Sequence, residues 1–522
     1  MAEAPASVPG GRLSARGVHC LLLPGLFVLL AAAYGYVHCL ASYTLPVPWP
    51  DEASFLWPAI AFARDNTLFA PQLNPTRPLL WMPPGYMLVL GAIFKVVGFS
   101  FGLARALSLG FMLGAFALLF RMTQKHGQRL AALAFLGVFM LHPSVVVVGN
   151  VARMESLLLL GVCAGFLLLE GGRLFPGMAV LALLPLIHPN GVYFVLGGLA
   201  LGVYRHRCHR ARWRPGRAGL ILGAVALAAW AGYLLYVAFH WDAFLTDMAY
   251  QLRRKSRQEL LSALGSRKTI GLAAAAVLCL VYGLASRLPA VWALFLGIPA
   301  LAARTLGHEM WYRLFESLFL LMLAVAALHA LLHAASAVQK WKPAYVRPIC
   351  NVAAVVLILA GLWRCDQLEG VVRLPRQMQW AGMGISDGPG YITRADIEKV
   401  RSFLRSVASE ESARLRLKEG PRPTTVEIWP QADSLFFHDM DGPALRLACP
   451  TFHTARPDAC IIHVSRYKAS WADQRLGSAF RKAGIDPDAD RDILHERDGT
   501  EKWYARSYLP FPIANRQAEG TR

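Results

Sequence analysis

Two pairs of charged residues lie directly beside apolar runs of the chain, where charged side chains are uncommon. Asp51 and Glu52 follow the segment Pro-Val-Pro-Trp-Pro, and Arg153 and Glu155 precede the apolar run 156–171. A carboxylate can accept a proton as a general base, and a guanidinium group can bind phosphate oxygens. Because carboxylates at the margin of hydrocarbon are costly unless they are solvated, paired or functional, these residues are candidates for chemistry.

The composition indicates that these residues belong to a membrane protein. Of 522 residues, 55% are hydrophobic and 16% are charged, and the mean hydropathy is +0.40. Residues 1–364 hold 30 basic and 11 acidic side chains, whereas residues 365–522 hold 23 and 22. A nucleic-acid-binding protein would carry its basic residues on a polar surface, but these lie between apolar runs too long for a globular core. We therefore expect a membrane-embedded domain over 1–364 and a compact domain over 365–522.

Twelve apolar runs are candidates for membrane crossings: 19–41, 79–98, 103–120, 130–149, 156–171, 174–187, 191–204, 218–240, 269–285, 290–304, 313–335 and 348–363. If every run crossed, several basic loops would lie outside, against their preference for the cytoplasm. Placing the run 79–98 along the outer surface moves the basic loops 121–129, 205–217 and 340–347 to the cytoplasmic side. The charge pattern thus predicts a polytopic α-helical protein with about eleven crossings and amphipathic surface helices. Its N-terminus would be cytoplasmic and its C-terminal domain extracytoplasmic.

This topology gathers most acidic residues of the membrane part at the outer face. The apolar residues Phe55, Ala59 and Ala63 have helical spacing, so residues 51–67 are predicted to form a short helix lying on the membrane. Its acids would stand at the N-terminal end, which the helix dipole favours, and a simple helix cap is the alternative interpretation. Four other acids are expected to be solvated loop residues: Asp65, Asp242, Asp247 and Glu259.

The order of the motifs resembles that of the GT-C glycosyltransferases, in particular the protein O-mannosyltransferase and lipid A aminoarabinose transferase group. The resemblance covers about residues 15–335 and rests on the acidic pair after the first span and on three later motifs. The first motif is the Pro-Pro-x-Tyr segment, with Pro83, Pro84 and Tyr86, and the second is an Ala-Arg that opens the next span, with Arg105. The third is an Arg-x-Glu, with Arg153 and Glu155, that is similar to the family's Arg-x-Asp. The chain departs from the family at Met82, where a basic residue is frequent, at Glu155, and near His188, where the family has a lysine.

The resemblance implies a GT-C fold and a hexosyl- or pentosyltransferase that takes a sugar from a polyprenyl-phosphate donor on the extracytoplasmic side of the bacterial inner membrane. Such a transfer needs a base for the acceptor's proton and positive charge for the departing phosphate. Because phosphate leaves without protonation, one carboxylate is sufficient, unlike the two carboxylates of glycoside hydrolysis. By the resemblance Asp51 is the base, and Glu52 or Glu155 orients the acceptor or pairs with Arg153.

Several basic or aromatic residues are candidates for binding the donor phosphate: Arg77, Arg105, Arg253, Arg254, His308, Tyr312 and Arg313. An aromatic-Arg motif of the family lies at about the position of Tyr312 and Arg313, which favours these two. The alternative for Arg253 and Arg254 is a solvated helix face, and His308 could form a surface pair with Glu309. The resemblance implies no nucleotide sugar at the site, no metal-ligand spacing stands out, and the need for a divalent metal stays open.

The C-terminal domain has the pattern of a small mixed α/β fold, with short strands at 425–429 and 460–464 and a helix at 397–407. Cys449 and Cys460 could pair if this domain is extracytoplasmic. The partners implied are the lipid-linked sugar, membrane lipid, and an acceptor lipid, glycan or protein, with no nucleic acid. A transporter or flippase of a lipid-linked saccharide is the alternative function, and it would predict ionisable residues at mid-span and related halves. A non-catalytic subunit is a third interpretation.

Overall fold

The structure is a computed structural model, and it is mostly α-helical. The residues that it describes are 15–42, 50–124, 129–209, 213, 215–254, 267–305, 312–339, 346–365, 367–369, 371–372, 397–398, 400–402, 404–405, 424–429, 431–442, 445–449, 461–465, 491–495 and 504–508.

Fifteen α-helices are assigned within these residues: α1 Ala15–Ser42, α2 Pro50–Asp65, α3 Gly85–Val97, α4 Phe101–Gln124, α5 Arg129–Met140, α6 Pro143–Asn150, α7 Met154–Glu170, α8 Leu174–Ile187, α9 Gly191–His209, α10 Arg217–Phe239, α11 Trp241–Arg254, α12 Arg267–Ala285, α13 Val291–Thr305, α14 Arg313–Gln339 and α15 Val346–Arg364.

Four of these helices are long and apolar enough to span a membrane, namely α4, α10, α12 and α14 within Arg313–Ser336. A fifth candidate is the pair α5 and α6, which passes the same test together but bends by 62° at the break. Several shorter apolar helices accompany them, and the predicted total of about eleven crossings counts these as well. That total remains a prediction, whereas an apolar helical architecture typical of a multi-pass membrane protein is present.

Helix α2, which carries the acidic pair, packs side by side with α3, and the two helices run in the same direction. Pro50 begins α2, which suits the first helical position because proline lacks the N–H that would have no partner there. At the contact between the helices Gly91 lies so close to α2 that a Cβ atom would stand 2.8 Å from the carbonyl oxygen of Ala59. Lys95 Nζ donates to Asn66 Oδ1 at 2.5 Å where α2 ends. At 13 residues, α3 is about 20 Å long and shorter than a hydrocarbon core, consistent with the surface position predicted for 79–98.

Helix α2 is more deeply buried than a helix lying open on a membrane surface. Ala53, Phe55, Leu56, Trp57 and Ala59 are each at most 1% exposed. The covering atoms come partly from the C-terminal region, which the sequence did not connect to this helix. The predicted helix is therefore present with nearly the expected bounds, but its environment differs because a distant part of the chain packs on it.

The C-terminal region contains a five-stranded mixed sheet with strand order β2-β1-β3-β5-β4. Its elements are β1 Thr424–Trp429, a 3₁₀ helix Gln431–Met440, β2 Leu445–Ala448, β3 Ile461–Ser465, β4 Arg491–His495 and β5 Tyr504–Tyr508. Strand β1 pairs in parallel with β2 and β3, whereas β5 pairs antiparallel with β3 and β4. The two strands expected from the sequence are present as β1 and β3.

The buried apolar residues form two clusters. The larger cluster joins the helices of the membrane part, and the smaller one joins α2, α3 and the start of α4 to the 3₁₀ helix and the first two strands. Within the smaller cluster the rings of Phe101 and Phe436 lie 5.6 Å apart, and those of Phe99 and His438 lie 4.7 Å apart. The C-terminal region is thus packed directly on the helix that carries the acidic pair.

Candidate active site

The two acids at the start of α2 face different partners. Glu52 is fully buried, and both its carboxylate oxygens accept hydrogen bonds from Arg105 of α4, from Nε at 3.0 Å and Nη2 at 2.7 Å. The backbone N–H of Ala152 also donates to Glu52 Oε1 at 2.7 Å. Asp51 is 40% exposed, and its carboxylate pairs with Arg153. One acid is therefore enclosed, and the other is accessible to a substrate.

Arg153 joins two carboxylates that are more than a hundred residues apart in the chain. It lies at the end of the extended segment 151–153 that links α6 to α7. Its Nη1 atom donates to Asp51, while Nε and Nη2 donate to Glu155 at 3.2 and 2.9 Å. The guanidinium carbon lies 5.5 Å from the centre of the Phe55 ring, one helical turn after Asp51. These contacts hold the guanidinium plane in one orientation beside Asp51.

The charges of Arg153 and Glu155 are maintained despite burial. Burial alone would lower the pKa of Arg153, but Glu155 and Asp51 raise that pKa above its ordinary value. Burial would raise the pKa of Glu155, but the facing Arg153 outweighs it and holds that pKa below its ordinary value. The pair is therefore ionic at neutral pH.

His188 and Tyr312 extend the cluster toward the start of α14. His188 ends α8 in an extended conformation, and its Nδ1 accepts the backbone N–H of Asn190 at 3.0 Å. The proton of the neutral ring therefore lies on Nε2, which is 3.9 Å from Glu155 Oε1. The ring of Tyr312 stands edge-on to that of His188, with centroids 5.7 Å apart.

The structure thus brings together five predicted residues from three separate parts of the chain: Asp51, Glu52, Arg105, Arg153 and Glu155. Three carboxylates face two guanidinium groups, so this cluster carries one net negative charge while His188 is neutral. Because each guanidinium already binds carboxylate, additional positive charge is required for an anionic substrate group. Within the described ranges no three His, Cys, Asp or Glu side chains lie close enough together to hold a metal ion.

The predicted surface segment lies beside this cluster. Pro84 precedes the first residue of α3, and the preceding Pro83 is half-buried. Tyr86 is fully buried, its hydroxyl lies 3.3 Å from Ser108 Oγ, and its ring stands edge-on to Phe55. Burial raises the pKa of Tyr86 above its ordinary value, so its hydroxyl stays protonated.

Arg77 has a partner that the sequence did not predict. Its Nη2 donates to Asp247 Oδ1 of α11 at 2.7 Å, and the backbone N–H of Leu80 donates to Asp247 Oδ2 at 2.7 Å. Asp247 is 1% exposed, so the expectation that it is a solvated loop residue is wrong. This acid instead holds the loop before α3 against α11, because a buried carboxylate needs a cation and hydrogen-bond donors.

The remaining candidates for phosphate binding lie in different environments. Arg313 is the first residue of α14 and is exposed, directly after the buried Tyr312. Arg253 and Arg254 are the last residues of α11, but their side chains lie outside the described residues, as does His308. Cys449 is buried and its Sγ lies 3.3 Å from Ser434 Oγ, whereas Cys460 lies outside the described residues.

Sequence reasoning did not find three contributors to the site. Phe55, Asp247 and the 3₁₀ helix become relevant only through contacts between distant segments. The amphipathic pattern of α11 would have predicted the opposite for Asp247, because this acid lies on the side away from Trp241 and Leu245, and the charged side of such a helix is ordinarily exposed.

No family model and no curated protein sequence matches the chain. Among solved structures, ArnT from Cupriavidus metallidurans bound to undecaprenyl phosphate is similar over 92% of this chain and 98% of that chain, with 14% identity and a TM-score of 0.51. The apo structure of ArnT from the same organism covers 93% and 98%, with 15% identity and a TM-score of 0.49. At such identity a structural likeness indicates a shared fold, and the chain therefore has the fold of ArnT, a GT-C transferase, as the resemblance in the sequence implies.

Proposed function

We propose that the chain is a glycosyltransferase that moves a sugar from a polyprenyl-phosphate donor to an extracytoplasmic acceptor, with inversion at the anomeric carbon. The observation that carries the proposal is the unequal environment of the acidic pair. Asp51 is partly exposed beside a fixed guanidinium group, while Glu52 is enclosed by Arg105 and a backbone N–H. This arrangement suits a reaction that uses one carboxylate as its base.

The reaction is a single displacement. Asp51 accepts the proton of the acceptor's nucleophilic group as that group attacks the anomeric carbon. The bond between the anomeric carbon and the phosphate oxygen breaks, and the phosphate leaves with the electron pair. Because attack and departure occur on opposite faces of the sugar, configuration is inverted. A second carboxylic acid is not needed, since phosphate is a good leaving group.

Arg153 orients Asp51, and Glu155 orients Arg153. Bidentate binding by Glu155 leaves the Nη1 edge of Arg153 directed at Asp51. Arg105 holds Glu52 at the opposite side, which fixes the first turn of α2 from two directions. We assign Arg105 to this structural pairing rather than to the donor phosphate, because it is buried and both its Nε and Nη2 atoms bind Glu52.

The donor phosphate is assigned to Arg313, with Tyr312 beside it. Arg105 and Arg153 are engaged by carboxylates, and Arg77 is paired with Asp247, so none of these offers an uncompensated charge. Arg313 is exposed and follows Tyr312, which contacts the cluster through His188. Guanidinium groups suit phosphate oxygens because of their fork-shaped set of donors. Arg253, Arg254 and His308 are proposed as further contacts to the lipid phosphate.

The fold supports a polyprenyl carrier, since the similar ArnT structure holds undecaprenyl phosphate. The apolar helices support a multi-pass membrane protein, and we propose that it lies in a bacterial inner membrane with its N-terminus in the cytoplasm and its C-terminal domain outside. The acceptor is a lipid, a glycan or a protein.

Thiol labelling tests the proposed membrane topology. Lys125→Cys in a cysteine-free background should react with an impermeant reagent only from the cytoplasmic side. Labelling from outside would contradict the surface placement of 79–98.

The function is tested with purified protein in detergent and a panel of polyprenyl-phosphate sugars. Wild type is expected to release free polyprenyl phosphate in the presence of acceptor, and Asp51→Asn to lose this activity while remaining folded. Equal turnover by the mutant would remove Asp51 from its role. Movement of an intact lipid-linked sugar across vesicles without cleavage would instead support the transporter alternative.

A further inference from the structure

A buried hydrogen bond joins the described part of the C-terminal region to the acid-bearing helix. The indole Nε1–H of Trp57 on α2 donates to Ser434 Oγ of the 3₁₀ helix at 2.8 Å. Trp57 is 1% exposed and Ser434 is 0% exposed. The two residues are 377 positions apart, so the bond exists only because the C-terminal region is packed on the membrane part.

The surroundings of this hydrogen bond are apolar. The side chains of Leu435, Phe436 and Phe437, which follow Ser434 directly, are buried in the same cluster as α2. A polar group enclosed in such a place loses more free energy when its partner is removed than a solvated group does. The bond is therefore directional as well as buried, and it selects one position of the indole ring.

Trp57 lies on the same helix as the acidic pair, so its hydrogen bond to Ser434 affects how Asp51 and Glu52 are oriented. At about 100° per residue, the side chains of Asp51, Glu52 and Trp57 point in three directions around the helix axis. Asp51 faces Arg153, Glu52 faces Arg105, and Trp57 faces the 3₁₀ helix. Three contacts in three directions set the rotation of the helix, and removing one lets the helix turn about its axis.

Because of Pro58, helix α2 depends more on tertiary contacts such as the hydrogen bond from Trp57 to Ser434. Proline has no N–H, so the carbonyl of Ser54 cannot receive the usual helical hydrogen bond from position 58. The missing bond lies directly after the first turn of α2, which carries the two acids, so one fewer backbone hydrogen bond attaches this turn to the rest of the helix. Tertiary contacts must supply that restraint.

We propose that Trp57 and Ser434 are positioning residues. Through them the C-terminal region fixes the rotation of α2 about its axis, so that Asp51 is oriented toward its substrate. The kinetic part of this inference rests on the proposed function, whereas the conformational part does not. The C-terminal region is then a part of the catalytic apparatus. It acts through α2 and needs no contact with donor or acceptor for this role.

Hydrogen exchange of the full chain in detergent tests the conformational part. The variants are Trp57→Phe, Ser434→Ala and the double variant. We expect amides in residues 51–56 to exchange about fivefold faster in each, since a hydrogen bond of this kind contributes about 1 kcal/mol. The double variant should be no faster than the faster single variant. Unchanged exchange in α2, or fully additive effects, would overturn the proposal.

Gln72→Met is the matched control. Gln72 Nε2 donates to Asp441 Oδ2 at 2.6 Å, so it joins the same two parts of the chain, but at the loop before α3 and not at α2. This variant should leave exchange in residues 51–56 unchanged. Equal acceleration by Gln72→Met would show that general docking of the C-terminal region matters, and would overturn the specific role of Trp57 and Ser434.

Kinetics test the catalytic part with the same variants. Ser434→Ala and Trp57→Phe should lower kcat by about tenfold with the KM for the donor unchanged, because a misdirected base slows the chemical step without altering donor contacts. A wild-type kcat in both variants would overturn the positioning role. If the wild-type protein transfers no sugar from any polyprenyl phosphate, the proposed function fails, and the exchange experiment still decides the role of the contact.

Discussion

The guanidinium group of Arg105 binds both carboxylate oxygens of Glu52, with Nε 3.0 Å from Oε1 and Nη2 2.7 Å from Oε2. Both side chains are buried, whereas the adjacent Asp51 is 40% exposed. Two neighbouring acids of the same helix turn therefore have different environments. Glu52 ties α2 to α4, whereas Asp51, the proposed base, is accessible from outside the cluster.

Glu52→Gln should destabilise the protein much more than Asp51→Asn. Removing one partner leaves Arg105 buried without its counter-charge, which costs about 3–5 kcal/mol. Asp51→Asn removes a partly exposed charge and should cost about 1 kcal/mol or less. Unfolding of the two variants in detergent, followed by helical circular dichroism, measures the difference. Equal destabilisation would show that the two acids are not distinguished by burial.

The pair of Arg77 and Asp247 should contribute measurably to stability. Asp247→Ala removes a buried carboxylate that binds both Arg77 and the Leu80 N–H, so the loop before α3 loses its link to α11. A double-mutant cycle with Arg77→Met should give a coupling free energy of about 1–3 kcal/mol. A coupling near zero would indicate that Arg77 does not depend on Asp247 and remains available for other ligands.

The contact of His438 in the C-terminal region with Phe99, which lies between α3 and α4, should weaken in acid. Burial lowers the pKa of His438, with Arg401 acting in the same direction and with the Leu435 carbonyl and Asp439 opposing. The unfolded chain, with an imidazole pKa of about 6.5, then binds the proton more readily than the folded chain. Stability is complete above that pH and declines as the pH falls from 6.5 through the folded pKa.

Thermal unfolding at pH 7.5 and 5.5 measures this effect, with His438→Phe as the control. The substitution keeps an aromatic ring against Phe99 and removes the titrating group. The wild-type protein should lose more stability between the two pH values than the variant does. The same loss in both proteins would assign the pH dependence to other groups.

Gly91→Ala should disturb the packing of α3 against α2. A Cβ atom at this position would lie 2.8 Å from the Ala59 carbonyl oxygen and 2.8 Å from Phe62 Cδ1, so the helices would have to separate. Such overpacking costs about 1–3 kcal/mol. In Gly110→Ala the new Cβ meets nothing within 4 Å, and the change should be neutral or stabilising. Equal unfolding temperatures for the two variants would refute the close contact.

The class of protein and the candidate residues of the site were available from the sequence. Long apolar runs cannot be buried in a soluble domain of this composition, so a helical membrane protein follows directly. The order of Asp51, Arg105 and Arg153 along the chain resembled a known family, and the observed fold agrees with that resemblance. Local patterns were also sufficient for α2, since proline and acids at its start favour a helix there.

The tertiary structure decided how these residues are paired. Which acid would bind Arg105 and which would bind Arg153 could not be derived, because a pairing depends on the rotation of α2 and on the extended path of residues 151–153. The burial of Asp247 and the bond from Trp57 to Ser434 likewise join segments that are far apart in the chain. Hydropathy and residue spacing predict the structure of a few turns of helix, whereas these contacts depend on how whole elements pack against one another.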